Sequence, residues 1–262
     1  MSRIPETESA YESALRGNWG QGLEVHDELP STQDRLRRLA ENGEPVGACV
    51  VASFQSEGRG QHGRPWRAAP GQGLLFSLLL RPTLSADELG GLPSLTASLA
   101  LLRSLEPLEL DLSLKWPNDL HAGPRKLAGM LMEGRIEGAY YRTIALGVGL
   151  NLSQARLDFP PELRESAVSL RQLLGQAPLA ADILAGFLVE MEQLWARLEA
   201  GESEAIVEEW KRHWRDQNRV VRTLDGLAQA MDVDALGGLV LYRDRGEQRL
   251  YDSRAILAWG GR

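Results

Sequence analysis

Leu127-Ala-Gly-Met-Leu-Met-Glu-Gly-Arg-Ile-Glu-Gly-Ala-Tyr-Tyr-Arg-Thr-Ile-Ala-Leu-Gly147 holds two apolar β-type runs, Leu127 to Glu133 and Tyr140 to Gly147, on either side of a glycine-bearing turn at Gly134 to Gly138. So short a connection pairs the runs as antiparallel neighbours, because a parallel pair needs a crossover of about a dozen residues or more. Upstream, Leu108, Leu110, Leu112 and Leu114 alternate with Glu109, Asp111 and Ser113, which predicts a half-buried strand ending at Lys115-Trp-Pro-Asn-Asp119, with a turn at Gly123 before the next run. Val46 to Phe54 and Leu74 to Leu80 are further β-type runs separated by a loop rich in glycine and arginine. Leu89, Leu92, Leu95, Leu99 and Leu102 repeat at helical spacing, and Ser31-Thr-Gln-Asp34 before Leu36, Leu39 and Ala40 predicts a helix capped by Ser31.

Beyond Asn151 and the Pro160-Pro161 stretch come two amphipathic helical patterns, Ile183 to Leu198 and Ile206 to Trp214. From about Arg219 the texture changes to short strands punctuated by Asp225-Gly226, Gly237-Gly238 and Arg245-Gly246, which reads as a small β-barrel of hairpins. The domain reading is therefore an arm over residues 1–22, a main domain over 23–217 and a barrel over 218–262, with the arm a short helix or loosely held.

The 262 residues are 43% hydrophobic, enough for one substantial core and a small second unit. No run of about 18 apolar residues occurs, and the polar, acidic N-terminus has no leader pattern, so no membrane association is expected. The single cysteine, Cys49, lies in an apolar run; it excludes an internal disulfide and fits a reducing cytoplasm. A net charge of −7 argues against broad nucleic-acid binding, which depends on cations neutralising phosphates. Phosphate chemistry, if present, is local.

Four segments carry chemistry. In Gln55-Ser-Glu-Gly-Arg-Gly-Gln-His-Gly-Arg-Pro-Trp66 the glycines let backbone amides approach an anion while Arg59 and Arg64 add charge-assisted bonds, and Trp66 can stack on a base; the pattern also occurs in ordinary mobile loops. Lys115-Trp-Pro-Asn-Asp119 delivers a cation, an amide and a carboxylate to one strand end, or is an Asx-type turn. Lys126, ahead of a strand with Gly129 inside it, suits a carboxylate or phosphate ligand, or is a surface lysine at a strand start. Gly147-Val-Gly149-Leu-Asn151 is either a pocket floor or a tight turn.

Taken in order, Ser31-Thr32-Gln33, Gly58-Arg-Gly60 to Trp66, Lys115 to Asp119, Lys126 to Gly129 and Gly147 to Asn151 resemble the biotin protein ligases, over about Leu23 to Asn151 and more thinly beyond. The resemblance implies an α+β fold: a mixed, mainly antiparallel sheet with flanking helices, of the class II synthetase-like biotin/lipoate ligase kind, followed by a small SH3-like β-barrel. It implies ATP and biotin as substrates, Mg2+ carried by ATP, and an acceptor lysine on a biotin carboxyl carrier domain. It further implies that Ser31, Thr32, Gln33 and Gln55 hold the polar ring of biotin, each lost bond costing about 1 to 3 kcal/mol, with Gly58, Gly129, Gly147 and Gly149 letting it approach the backbone. Arg59 and Lys126 would stabilise the reacting carboxylate and α-phosphate, and Asp119 would serve either the incoming amine or the metal. Arg64, Trp66, Asn118 and Asn151 would contact the nucleotide. One departure stands out: the family reads Gly-Arg-Gly-Arg-x-Gly-Arg, and this chain has Gln61 at the second arginine, with His62 next to it.

Lipoate or octanoate attachment is the competing enzymatic reading, since those enzymes share the fold; an inert ligand-binding module is another. A biotin-sensing repressor is disfavoured because only about 22 residues precede the motifs and the chain is acidic. A homodimer is left open.

Overall fold

The computed structural model describes residues 6–243 and 246–260; residues 1–5 of the expected arm, Arg245 of the expected turn and the last two residues lie outside them. In chain order the elements are α1 (Glu8–Ala14), β1 (Leu23–Leu29), α2 (Thr32–Glu41), β2 (Cys49–Gln55), β3 (Gly73–Leu80), α3 (Ala86–Leu89), α4 (Leu92–Ser104), β4 (Leu112–Lys115), β5 (Asp119–Ala122), β6 (Arg125–Glu137) and β7 (Tyr140–Asn151). There follow α5 (Leu170–Leu174), α6 (Ala180–Glu199), α7 (Ser203–Arg212), β8 (Val220–Thr223), β9 (Gly226–Val233), β10 (Leu239–Arg243), β11 (Gly246–Leu250) and β12 (Ile256–Trp259).

The opening stretch is the spine of the molecule. β6 and β7 pair antiparallel from Ala128↔Leu150 to Glu137↔Tyr140, inside a seven-stranded sheet of order β1-β2-β3-β7-β6-β5-β4. Only β1 and β2 run parallel, joined through α2, so the sheet is mixed but mainly antiparallel. The β6–β7 turn comes later than expected, at Gly138 with φ 64°, and Gly134 stays in the ladder opposite Ile144. Gly134 is there because Tyr141 lies across it, 2.4 Å from where a Cβ would stand.

The period of two along each strand splits the core. One face presents Val51, Leu74, Phe76 and Leu78 to the apolar sides of α4 and α6, with Phe76 meeting Phe187 edge-on at 5.0 Å. The other face presents Val50, Leu79 and Ala145 to Leu36 and Leu39 of α2. α7 packs on α4, where the Trp210 indole N–H donates to the Ser98 hydroxyl at 2.9 Å.

Two local expectations are corrected. The Leu108 to Leu114 alternation does not form one strand: Glu106–Leu108 is a 3-10 turn containing Pro107, and Glu109 is left-handed at φ 52°, so the ladder begins only at Leu112. The helix expected from Leu89 to Leu102 breaks at Gly90 and Gly91, because the backbone of a C-terminal turn docks there: the Gly91 N–H donates to Leu236 O at 2.8 Å, and a Cβ on Gly90 would lie 2.5 Å from the same oxygen. Of the two readings of the arm, the described residues show the short helix, Glu8–Ala14, and it is tied down. Glu6 accepts bonds from the Ala180 and Ala181 N–H groups, both at 2.9 Å, neutralising the open donors of the α6 N-terminus. Glu192 accepts from Asn18, and Tyr11 and Trp19 are buried.

The C-terminal strands form a second, five-stranded sheet of order β11-β10-β9-β8-β12. It is fastened to the main domain at the α3–α4 break and by Trp116, whose indole N–H donates to Gly237 O at 2.9 Å.

Candidate active site

On the α2 side of the main sheet, just past the α2 N-terminus, apolar side chains give way to small ones. The inward positions read Leu75-Ser77 on β3, Gly147-Gly149 on β7 and Leu131-Gly129 on β6, in register with one another. The glycines let Gln33, Trp66 and Lys126 lie close against the sheet, and these side chains bound a cavity of about 1050 Å³ above it. The loop after β2 forms one wall, the β4–β5 turn another, and Ser253 to Trp259 of the second sheet a third.

The polar end is built on the first turn of α2. Ser31 occupies the cap position but makes no side-chain cap bond, and it is buried outside the cavity lining. Gln55 instead reaches over from the end of β2, its Oε1 accepting from the Thr32 N–H at 2.7 Å and the Thr32 hydroxyl at 3.1 Å. The Thr32 hydroxyl also bonds Ser77 Oγ at 2.7 Å. Gln33 lies along the wall and donates to Leu131 O and Ala145 O, both at 3.1 Å. A Cβ on Gly147 would stand 2.9 Å from Gln33 Cδ, so that glycine first of all admits Gln33.

The glycine-rich loop closes on itself through Trp66 N–H to Gly58 O (2.9 Å) and Gly60 N–H to Arg64 O (2.7 Å). Gly58 lies outside the cavity lining and allows this closure, since a Cβ there would fall 2.6 Å from Trp66 O. Arg59 anchors the loop to α2 with two parallel bonds to Asp34, each 2.9 Å, and lies 3.3 Å from Glu133. The guanidinium holds the Asp34 carboxyl below its ordinary range despite the opposing effect of burial. At the tip, His62 is left-handed at φ 59° and shares the Ser253 hydroxyl, 2.9 Å away, with Gln61, whose Oε1 accepts from it at 3.0 Å.

The ionic end lies opposite. Lys126 Nζ is 2.6 Å from Asp119 Oδ1, and His121, two residues along the same strand, places Nε2 3.8 Å from Oδ2. Burial pushes the Asp119 carboxyl up, but the Lys126 ammonium, with His121 close by, outweighs it and holds the group below the usual carboxylate value. Trp66 covers this end: its ring centre is 5.6 Å from Lys126 Nζ, and its indole lies 2.4 Å from where a Cβ on Gly149 would stand. Asn118 donates its side-chain amide to Met130 O, and Asn151 donates to Val168 O at 3.1 Å. Both line the cavity while locking its floor. A cavity with uncharged donors and acceptors at one end and a caged lysine–carboxylate pair beneath an indole at the other suits a polar heterocycle carrying a carboxylate that must meet a phosphate.

The family described as Biotin/lipoate A/B protein ligase family matches residues 25–151. The chain is 32% identical over 239 residues to the bifunctional ligase/repressor BirA of Bacillus subtilis, covering 89% of this chain and 73% of that protein. It belongs to the biotin protein ligase family. It is also 36% identical over 198 residues to the biotin--[acetyl-CoA-carboxylase] ligase of Mycobacterium tuberculosis, covering 72% of this chain and 71% of that one. Among solved structures, the biotin protein ligase from Aquifex aeolicus in complex with biotin and ATP superposes with a TM-score of 0.75 at 25% identity, over 89% of this chain and 97% of that one.

In this biotin protein ligase the five motifs of the sequence surround one cavity, although several of their residues are engaged with protein groups. Arg59 is paired with carboxylates, and Asn118 and Asn151 hold backbone. Four participants went unread. Ser77 is the lone polar residue in an otherwise apolar strand, and His121 sits two places from Asp119 on the same face; both left a signal. Glu133 and Ser253 left none, being set by contacts distant in sequence.

Proposed function

We propose that this ligase joins biotin to ATP as biotinyl-5'-AMP and then transfers the biotinyl group to a lysine of a biotin carboxyl carrier domain. The observation that carries the reading is the placement of the Lys126–Asp119 pair and Trp66 in the same cavity as the hydrogen-bonded Thr32 and Gln55. Thr32, Gln55 and Gln33 take the polar ring. Trp66 Nε1 is buried and, among the described residues, has no hydrogen-bond partner, so it is available to a substrate oxygen.

The biotin carboxylate oxygen attacks the α-phosphorus of ATP, the bond to the bridging oxygen breaks, and pyrophosphate leaves. Lys126, close to Trp66, neutralises charge that builds on the phosphoryl oxygens, and Arg64 at the cavity rim does the same from the loop side. Mg2+ is written here as part of MgATP: among the described residues no group of three or more His, Cys, Asp or Glu is placed to hold a metal, and Asp119 is already ion-paired. In the second half-reaction a lysine amine attacks the acyl carbon and AMP departs. Asp119 is the carboxylate at hand for the amine's proton.

The test is to incubate the protein with biotin, MgATP and a carrier domain and to follow acceptor mass. A gain of one biotinyl group is expected. A gain with lipoate or octanoate but none with biotin overturns the reading in favour of the other branch of the family.

A further inference from the structure

Of the 29 basic residues in the chain, three are lysines and 26 are arginines. The imbalance matters for a protein read as making an acyl-adenylate. A lysine amine, once deprotonated, attacks an acyl carbon, whereas an arginine guanidinium stays protonated at any working pH and does not. Arginine therefore supplies surface charge without supplying an acceptor.

The three lysines are placed unequally. Lys126 is locked on Asp119 at 2.6 Å. Lys211, only 20% exposed, lies between Glu208 and Asp232, the latter at 2.9 Å; burial draws its ammonium down, but the two carboxylates outweigh this and hold it above the ordinary lysine range. Lys115 lines the cavity, 5.8 Å from the Trp259 ring centre, and among the described residues it has no ion-pair partner. The loop over the cavity meanwhile carries Gln61 where the family pattern has a fixed cation.

We propose that the arginine-borne surface makes this ligase a poor acceptor of its own biotinyl-adenylate, and that Lys115 is the one side-chain amine left open to self-acylation. The inference rests on the adenylate reading above. The step is ordinary: the neutral amine nitrogen forms an amide bond to the biotinyl carbon, the bond from that carbon to the phosphate oxygen breaks, AMP leaves with the electron pair, and the amine proton passes to water.

The experiment supplies chemically made biotinyl-5'-AMP to the full chain, with no ATP, and locates the label by peptide mass mapping, which separates side chains from the amino terminus. The comparison protein is the triple variant Arg38→Lys, Arg212→Lys, Arg222→Lys, which keeps charge at three exposed positions outside the cavity lining. Because labelling by free adenylate scales with accessible amines, and the variant has four open side-chain amines where the parent has one, it should carry about fourfold more side-chain label, the gain lying at those positions. The unaltered chain should carry label at Lys115 alone, lost in Lys115→Arg. Labelling of Lys126 or Lys211 as extensive as that of Lys115, or a triple variant no more labelled than its parent, overturns the proposal. Since the adenylate is added ready-made, these outcomes are separate from a failure of the chain to make it, which pyrophosphate release with biotin and MgATP reports on its own.

Discussion

Lys126 Nζ comes within 2.6 Å of Asp119 Oδ1 across a position that has no side chain: a Cβ on Gly129 would stand 2.8 Å from Lys126 Cε and Nζ and 3.3 Å from Asp119 Oδ1. The glycine is a requirement of the ion pair. Gly129→Ala should push the ammonium off its carboxylate while leaving the ladder intact, since residue 129 pairs through its backbone with Gly149. Displacement of a reacting group by an ångström costs about 10²-fold in rate, so adenylation measured as pyrophosphate release should fall by that order with little change in circular dichroism. Unchanged release would separate the pair from the chemistry.

The same pair has a pH signature. Asp119 is held below its ordinary value when folded, so its stabilising contribution is present above the unfolded carboxylate value of about 3.9 and is lost as pH falls through the lower, folded value. Asp119→Asn should lower Tm at neutral pH by a few degrees, corresponding to about 1 kcal/mol for a partly exposed pair, and the gap should narrow progressively as pH falls below the unfolded carboxylate value. A gap that widened on acidification would reverse the sign assigned to the shift.

Cys49 is fully buried in β2, and burial alone pushes its thiol far above the ordinary range. Alkylation of the native protein should therefore be at least about 10³-fold slower than in denaturant, the rate following transient opening. Prompt labelling without loss of structure would contradict the burial.

Arg59 was read from the sequence as a cation for the reacting groups, and the structure gives it a second task, tying the loop to α2 through Asp34. Asp34 lies two residues after Thr32, so one helical turn both holds the polar end of the cavity and anchors its cover. Asp34→Asn should weaken the anchor and raise the KM for biotin by about tenfold, the equivalent of one charge-assisted bond, with kcat changed less. A fall in kcat at constant KM would instead place Arg59 on the transition state.

What could be read in advance follows from the range of the interactions. The β6–β7 pairing, the start of α2 and the position of the loop after β2 depend on side-chain period and turn residues within a few positions, and they were legible. Leu108 to Leu114 misled because alternation reports which side chains are apolar, while Pro107 and the left-handed Glu109 decide the backbone. The α3–α4 break and the third wall of the cavity were hidden, since Gly90 and Gly91 meet Leu236, and Gln61 meets Ser253, only after the second sheet has docked. Gly147 and Gly149 were read as room for a ligand; their nearest occupants are Gln33 and Trp66, so they make room for the residues that shape the cavity.

Gln61 is the position where the chain departs from the family pattern, and its contact explains what the substitution does locally. Its Oε1 accepts from Ser253 Oγ at 3.0 Å, which leaves that hydroxyl's oxygen to accept from His62 Nε2 at 2.9 Å; an arginine, having donors alone, cannot replace the acceptor. Gln61→Arg should therefore exchange a neutral clasp on the second sheet for a fixed charge over the adenylate. In a low-dielectric cavity the charge outweighs a single partly exposed hydrogen bond, so biotinyl-adenylate should leave Gln61→Arg more slowly than it leaves the parent, by about tenfold if the gain is near 1.4 kcal/mol. Ser253→Ala, which removes the clasp and adds no charge, should accelerate release. Stopped-flow dilution of preformed complexes into excess unlabelled ligand measures both rates, and equal release from all three proteins would show that neither the clasp nor the missing cation governs retention.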